Sequence, residues 1–309
     1  MEELFSGFLN SAAPLMMAGL GALLSDLSGA LGIFIEGFMI TGAFFSWIFA
    51  GWTGSVFWGT VFSAALAALA GWALARFVRL SGANPFIAGL ALNLAASGIT
   101  ISLSAAWFGT KGVLQNPGIA IQGAVIIPFA ENIPLFGKFF SGHNPFTYAA
   151  WIFAVLAAIG INRTVPGFRL RASGLSPAAA AERGIRPELY REGAWAIAAF
   201  LASLAGAALT FRVGAYAPGG IAGRGWIALA AVYLGFRKPW GVVAAAIVFS
   251  FAERLGYGIQ SFGSLGSGSA GAATALLGLP SALALLFYSL SLLLKKYRIK
   301  KHTVKRGIV

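Results

Sequence analysis

The sequence contains no cysteine and little charge of either sign. Its 309 residues include two histidines and nine acidic residues, and charged residues make up 10% of the chain. The absence of cysteine excludes disulfide bonds and thiolate metal sites. Soluble domains carry roughly a quarter charged residues, whereas here 58% of residues are hydrophobic and the mean hydropathy is +0.81. This composition indicates an integral membrane protein.

Sequence patterns of catalysis are also missing. The chain has no HExxH motif and no phosphate-binding GxxxxGK[ST] loop, and its two histidines, His143 and His302, lie in a loop and in a basic tail. A metal-ligand set or a buried general base is therefore not apparent. We expect a non-catalytic chain with no metal and no cofactor of its own, so that any ATP and Mg²⁺ would be bound by a partner.

Nine apolar runs are candidates for membrane-spanning helices, each of which needs about 20 residues. The sequence therefore predicts an all-α integral membrane protein with about nine transmembrane helices in a single transmembrane domain covering residues 1–309. The runs comprise residues 4–24, 30–50, 54–78, 83–107, 146–161, 194–211, 221–236, 241–259 and 272–294.

The net charge of +13 comes mainly from four basic groups at the ends of these runs. They are Arg76 with Arg79, the six arginines of residues 162–192, Arg237 with Lys238, and the tail 295–309. By the positive-inside rule, one topology puts all four in the cytoplasm, with the N-terminus outside and the C-terminus inside. The loop of residues 108–144 is then external. Positive charge here specifies orientation in the lipid bilayer and does not indicate a nucleic-acid partner.

Residues 162–192, which we call the polar island, are the longest stretch that water could surround. Within it, Ser176 is a good N-cap, Pro177 suits the first helical position, and the alanines that follow have high helix propensity. Gly184 can end the helix. The island therefore contains a slim cytoplasmic helix, and it serves either as a contact surface or only as a connector between two spans.

Two stretches share a plan that transporters built from inverted repeats often show. Each consists of an apolar segment, a Gly-rich break and a new span, which opens at Glu36 in one copy and at Arg224 in the other. The predicted topology runs them in opposite directions, which fits four spans, a connector and four inverted spans. Chance similarity between glycine-rich segments is the alternative.

Ionisable and amide side chains inside spans are candidates for function because the membrane makes them costly. Glu36 and Asn93 fall within predicted spans, and Arg224 follows the second break. Glu36 either serves the substrate pathway or is satisfied by backbone or arginine while holding helices together. Asn93 either lines the pathway or links helices. Arg212, Arg224 and Arg254 either serve the pathway or reach an interface with their head groups.

Six stretches between Ser28 and Gly241 resemble the permease subunits of ATP-binding-cassette importers of the ribose and branched-chain amino-acid type. The resemblance is greatest to the group that works with basic-membrane-protein lipoproteins and imports nucleosides or, in some members, riboflavin. The stretches are SGALGIFIEGFMITGAF, NPFIAGLALNLAASGIT, ENIPLFGKFF, SPAAAAERGI, LASLAGAAL and GGIAGRGWIALAAVYLGFRKPWG.

The resemblance implies a role for the short helix of the polar island. It would be the coupling helix that docks in a cleft of a cytoplasmic ATP-binding subunit, through Ser176, Pro177, Ala178, Ala179, Ala180, Glu182, Arg183 and Gly184. It also implies a second homologous permease, an external substrate-binding lipoprotein and a location in the cytoplasmic (inner) membrane. The chain would then be a permease without catalytic activity.

One departure from the family pattern concerns the residues before Ile35. Relatives commonly read Asn-Ile-Gly there, whereas this chain reads Gly32-Ile33-Phe34. Phe34 would either form an aromatic pathway wall, suited to stacking on a flat heterocycle, or face lipid. A simple-sugar permease is a second reading. A self-sufficient secondary transporter or channel using Glu36, and an assembly protein without a pathway, are two others.

Overall fold

The computed structural model describes residues 2–116, 118 and 142–263, with side chains from residue 9 to residue 254. Residues Met1–Ser250 form one compact unit and Phe251–Val309 a second. The described part contains ten helices and two short strands: α1 (Glu2–Leu27), α2 (Ile35–Thr53), α3 (Val56–Ser81), α4 (Pro85–Phe108), β1 (Leu114–Gln115), α5 (Pro145–Arg163), α6 (Val165–Leu175), α7 (Pro177–Glu182), α8 (Pro187–Val213), β2 (Ala215–Tyr216), α9 (Arg224–Leu234) and α10 (Pro239–Gly263).

Five helices of the described part are long and apolar enough to cross a membrane, namely α2, α3, α4, α5 and α8. The nearly all-helical architecture of an integral membrane protein is thus confirmed. The predicted span 272–294 and the basic tail 295–309 lie outside the described residues, as does most of the predicted external loop. The count of about nine spans stays a prediction.

Helix α8 lies at the centre of the first unit and packs against α1, α2 and α3. Its contact with α2 brings two backbones together, because a Cβ on Gly206 would lie only 2.0 Å from the Met39 carbonyl oxygen. Similarly, a Cβ on Gly42 would lie 2.4 Å from the Ser203 Cα. Small residues at such crossings allow the close packing that holds membrane helices together.

Contacts at one end of the bundle bring three of the predicted cytoplasmic groups together. Arg79, at the end of α3, pairs with Glu192 at 2.9 Å. Arg237 pairs with Asp26 near the end of α1 at 2.5 Å. Gly174 of α6 packs so closely on the end of α1 that a Cβ would lie 2.1 Å from the Leu27 carbonyl oxygen. The basic groups at Arg79, the polar island and Arg237 therefore share this end, which we call the basic end.

The opposite end of the bundle joins other segments. β1 pairs with β2 in antiparallel fashion, with Leu114 opposite Tyr216. The Asn10 Oδ1 atom accepts a hydrogen bond from the Thr147 hydroxyl at 2.7 Å, which ties the start of α1 to the start of α5. The predicted topology puts all four of these segments on the external side.

Two helices begin after breaks, and they are shorter than their apolar runs predict. Residues 28–34 separate α1 from α2, and residues 214–223 separate α8 from α9. Because α9 has 11 residues, it extends about 16 Å, roughly half the thickness of a bilayer core. The predicted span 221–236 is therefore wrong as a full crossing helix. Gly219 and Gly223 adopt positive φ angles, which end the regular backbone where the sequence remains apolar.

The polar island is more ordered than its composition predicts. The whole of α6 and α7 and the first turns of α8 fall within it. The Thr164 side chain accepts from the Gly167 amide and starts α6, which folds back onto α5. Sequence analysis predicted α7 but not α6, because α6 contains two glycines, Gly167 and Gly174, which lower its helix propensity.

Candidate functional site

Glu36 lies in the first turn of α2 and caps the start of α9. Its carboxylate accepts a hydrogen bond from the Gly223 amide at 3.0 Å and another from the Gly225 amide at 2.6 Å. The residue is 9% exposed. The first amides of a helix have no partner within that helix, and the helix dipole favours a negative charge there. Both carboxylate oxygens thus serve the backbone of α9.

Gly225 permits this approach because it has no side chain. A Cβ at this position would lie 2.6 Å from both the Cα and the Oε2 atoms of Glu36. In the GRG sequence around Arg224, the second glycine is therefore required for steric reasons. The Arg224 side chain is half-buried, and its guanidinium donates to the Gly220 carbonyl at 3.0 Å. The Arg224 side chain thus contacts the backbone of the irregular segment that precedes α9.

Asn93 of α4 plays the same part at the start of α2. Its Oδ1 atom accepts from the Gly37 amide at 2.7 Å, and its Nδ2 atom donates to the Ile33 carbonyl at 2.7 Å. The side chain is 8% exposed. The residue that precedes α2, Phe34, makes no side-chain cap. An amide from a neighbouring helix therefore supplies the cap that the local sequence lacks.

These contacts connect three helices in series. Asn93 of α4 holds the start of α2, and Glu36 in the first turn of α2 holds the start of α9. The two breaks that the predicted repeat aligned, at Glu36 and at Arg224, meet in space. We call this cluster of Asn93, Glu36, Gly225 and Arg224 the helix-start junction. Its hydrogen bonds fit the structural alternative stated for Glu36 and for Asn93, and a role in the substrate pathway stays a prediction for both.

Phe34 lies beside the helix-start junction and is fully buried. Its ring packs against Trp195 of α8 with a centroid distance of 4.6 Å and against Phe38 at 5.6 Å. The alternative that Phe34 faces lipid is therefore wrong. Its ring occupies space between α2 and α8, where a smaller residue would leave a void.

Helix α7 begins and ends as the sequence predicts. The Ser176 side chain accepts from the Ala179 amide at 3.4 Å, and Pro177 occupies the first turn. Gly184 has a φ angle of 74° and donates its amide to the Ala181 carbonyl at 2.9 Å, as is typical of a helix end. Of the residues predicted to contact an ATPase, only Ala180 is buried, whereas the others are exposed: Ser176, Pro177, Ala178, Ala179, Glu182, Arg183 and Gly184.

The remaining arginines near predicted spans have different partners. Arg212, at the end of α8, donates to the Ser11 hydroxyl at 3.1 Å and is exposed, which agrees with an interfacial position. Arg254 and Glu253 lie in the second compact unit, on α10.

Among the described residues, no group of three or more His, Cys, Asp and Glu side chains is placed to hold a metal ion.

Sequence reasoning missed the partners of the polar groups it selected. The hydrogen bond from Gly37 to Asn93 joins residues that are 56 positions apart, and the bond from Gly225 to Glu36 spans 189 positions. The available signal was the pattern of glycines, since Gly37 directly follows Glu36 and Gly225 directly follows Arg224. A glycine that permits a close backbone approach often marks such a contact.

Removal of the Asn93 side chain is expected to destabilise the start of α2. In Asn93→Ala, the buried Gly37 amide and Ile33 carbonyl lose their partners, which costs about 1–3 kcal/mol for each unsatisfied group. We expect a lower unfolding temperature of the purified protein, measured by the loss of folded monomer on heating in detergent. Asn93→Asp keeps the acceptor for the Gly37 amide but replaces the donor to the Ile33 carbonyl with an oxygen, so it should also lose stability. An unchanged unfolding temperature in Asn93→Ala would contradict this role.

Comparison with known proteins identifies relatives over most of the chain. The guanosine ABC transporter permease protein NupQ of Bacillus subtilis (strain 168) is 32% identical over 252 residues, which cover 79% of this chain and 78% of the relative. The nucleoside ABC transporter permease protein NupC of Lactococcus lactis subsp. cremoris is 29% identical over 263 residues, with 82% of each chain covered.

A third relative carries a different substrate in its name. It is the "Putative glucose ABC transporter permease protein TsgC13" of Haloferax volcanii, which is 27% identical over 261 residues, covering 84% of this chain and 78% of the relative. No solved structure matches the chain significantly. The family model for the permease component of branched-chain amino acid transport systems matches residues 4–294.

The resemblance found in the sequence is thereby confirmed, as is the multi-pass location in the cytoplasmic membrane. With a family match across nearly its whole length and a relative above 30% identity, this chain belongs to the family of branched-chain amino acid transport permease components and is an ABC transporter permease.

Proposed function

We propose that this permease imports a nucleoside, with ATP and Mg²⁺ bound by a separate cytoplasmic ATP-binding subunit. The observation that carries the proposal is the agreement of two relatives named for guanosine and nucleoside transport, each matched over about four fifths of this chain. An external substrate-binding lipoprotein delivers the substrate, and a second homologous permease completes the pore. All three relatives are named as ABC transporter permeases, which gives no support to a self-sufficient secondary transporter.

The substrate is tested by uptake into cells that express the chain together with its ATP-binding subunit, second permease and external receptor. We expect labelled guanosine to accumulate and unlabelled nucleosides to compete, with excess glucose having no effect. Riboflavin is a related flat heterocycle, and it serves as a second competitor. Glucose uptake without guanosine uptake would instead support the sugar alternative, which the third relative favours by its name.

The substrate pathway is proposed to pass the helix-start junction, beside Glu36, Asn93, Phe34 and Arg224. Discontinuous membrane helices often meet near the bilayer centre at the binding site of a transporter. Phe34, Asn93 and Glu36 are buried in this chain, so they would shape the pathway by fixing the two helix starts. Arg224 is the half-buried member and would lie nearest the substrate.

Helix α7 is proposed to transmit ATP-driven closure of the partner subunit. It is short, slim and exposed, and it adjoins α6, which packs on the end of α1. Because α1 in turn packs against α8 and α9, a push on α7 has a continuous packed route toward the helix-start junction. A measurement of energetic coupling between α7 and the helix-start junction tests this route.

The proposed topology puts the basic end of the bundle in the cytoplasm. Because the chain has no cysteine, single cysteines can be introduced at exposed positions and labelled with a membrane-impermeant maleimide in intact cells. Val113, near β1, is exposed, and a cysteine there should react from outside. Ala179→Cys should react only after the membrane is opened. Labelling of Ala179→Cys in sealed cells would reverse the orientation.

A further inference from the structure

An apolar groove lies near the basic end, between α5, α6 and α8, and has a volume of about 530 Å³. Its walls include Gly160 on α5, Leu170 on α6 and Gly193 on α8. Several wall residues are widely exposed, among them Leu156 at 57% and Ile197 at 51%. In a membrane protein, an exposed apolar groove between spans faces either lipid or another subunit.

The shape of the groove suits a single hydrocarbon chain. It runs along α5 from Phe153 to Thr164, a length of about 16 Å at the helical rise per residue. Phe153 and Phe200 meet edge to face at 6.0 Å and both line the groove. The walls are almost wholly apolar, so a nucleoside bound here would leave most of its hydrogen-bonding groups unpaired, at a high cost.

The end of the groove nearest the polar island is positively charged. The Arg169 guanidinium donates to the hydroxyl of Tyr190, a groove residue, at 3.4 Å. Arg163 lies in the last turn of α5, directly before the groove residue Thr164. Two arginines on the adjoining turns, Arg171 and Arg191, have buried Nε atoms with no hydrogen-bond acceptor among the described residues.

Two acidic side chains of the polar island, on α8, do not balance this charge. Glu192 is paired with Arg79 of α3. Glu188 is two residues from Tyr190 on α8, which puts it about 200° away on the helix, on the face opposite the groove. The polar end of the groove therefore attracts an anion at the depth where the polar island meets the membrane.

We infer that this groove binds one anionic phospholipid. One acyl chain lies along the groove, and the phosphate lies beside Arg163, Arg169 and the Tyr190 hydroxyl. Arginine suits phosphate because its guanidinium offers several fixed donors, and basic pockets between membrane helices are known positions for anionic lipid head groups. Since α6 forms one wall and leads directly into α7, the bound lipid also braces the helix that carries α7.

The groove is tested by filling it. Gly193 lines the groove and has open space where a Cβ would be, so Gly193→Leu is chosen to fill the groove. Gly98 on the exposed face of α4 also has open space, and Gly98→Leu is the matched control. The protein is purified with added phosphatidylglycerol or phosphatidylcholine, and the retained lipid is counted by native mass spectrometry. We expect wild type and Gly98→Leu to retain phosphatidylglycerol, and Gly193→Leu to retain about tenfold less.

The charge is tested with the double variant Arg163→Gln and Arg169→Gln. Each basic residue near a membrane surface raises the affinity for anionic lipid about fivefold. The double variant should therefore lose its preference for phosphatidylglycerol over phosphatidylcholine by on the order of tenfold or more. Equal retention of both lipids by wild type would overturn the inference, as would equal lipid retention by Gly193→Leu and Gly98→Leu. So would loss of a permease dimer in Gly193→Leu, because a second subunit would then occupy the groove.

Discussion

Replacement of Ala179 by tryptophan is expected to abolish ATP-driven transport while the permease remains folded in the membrane. Ala179 is exposed on α7, and the proposed ATPase cleft must surround a slim helix. A tryptophan side chain adds a bulk that such a contact cannot absorb without separation of the two surfaces. We expect the ATPase to be lost from pull-downs, or to hydrolyse ATP without stimulation by substrate in nanodiscs.

The controls for this prediction separate bulk from charge and from position. Ala179→Ser keeps the residue small and should bind normally. Glu182→Gln and Arg183→Gln should have modest effects, since exposed ion pairs contribute under about 1 kcal/mol. Ala180 is 4% exposed, so a tryptophan there would disturb the packing of α7 itself. Normal ATPase binding and coupling in Ala179→Trp would leave the polar island as a connector only.

Loss of the Glu36 carboxylate is expected to impair both stability and transport. In Glu36→Ala, the amides of Gly223 and Gly225 lose their acceptor at the start of α9. A buried group left without a hydrogen-bond partner costs about 1–3 kcal/mol, so the loss is a large fraction of the stability of a typical protein. We expect a marked drop in unfolding temperature. Glu36→Gln, which retains one acceptor oxygen, should lie between this variant and wild type.

A second variant distinguishes capping from contact with substrate. Gly225→Ala adds no charge and removes none, but its methyl group would lie 2.6 Å from Glu36. If capping is the main role, Gly225→Ala should lower the unfolding temperature as Glu36→Ala does. Gly98→Ala, in open space on α4, should be neutral. Normal stability in both Glu36→Ala and Gly225→Ala, with transport lost only in Glu36→Ala, would assign Glu36 to the substrate.

The features that sequence analysis predicted well are those set by local chemistry. Ser176, Pro177 and Gly184 determine the limits of α7 through their own side chains and backbone preferences. The apolar runs for α3 and α4 agree with the observed helices to within a few residues. The basic groups were predicted to share one side, and the contacts of Arg79 and Arg237 place two of them at the basic end with the polar island.

The features that it missed depend on contacts between distant residues. Apolar composition alone does not show where α9 begins, because a contact that stabilises its first turn is made by the carboxylate of Glu36, 189 positions before Gly225. Likewise, α6 is held by glycine contacts with α5 and the end of α1, which no local propensity encodes. Phe34 was ambiguous between pathway and lipid because its neighbour Trp195 lies on another helix.

The energy source of transport tests the proposed function most directly. Membrane vesicles that contain the chain with its partner subunits are loaded with ATP on the ATPase side, and labelled guanosine bound to its external receptor is supplied on the other. We expect uptake that requires ATP, persists when a proton ionophore is added, and disappears in Ala179→Trp. Uptake by this chain alone, driven by a proton gradient and insensitive to ATP, would contradict the assignment as an ATP-driven importer.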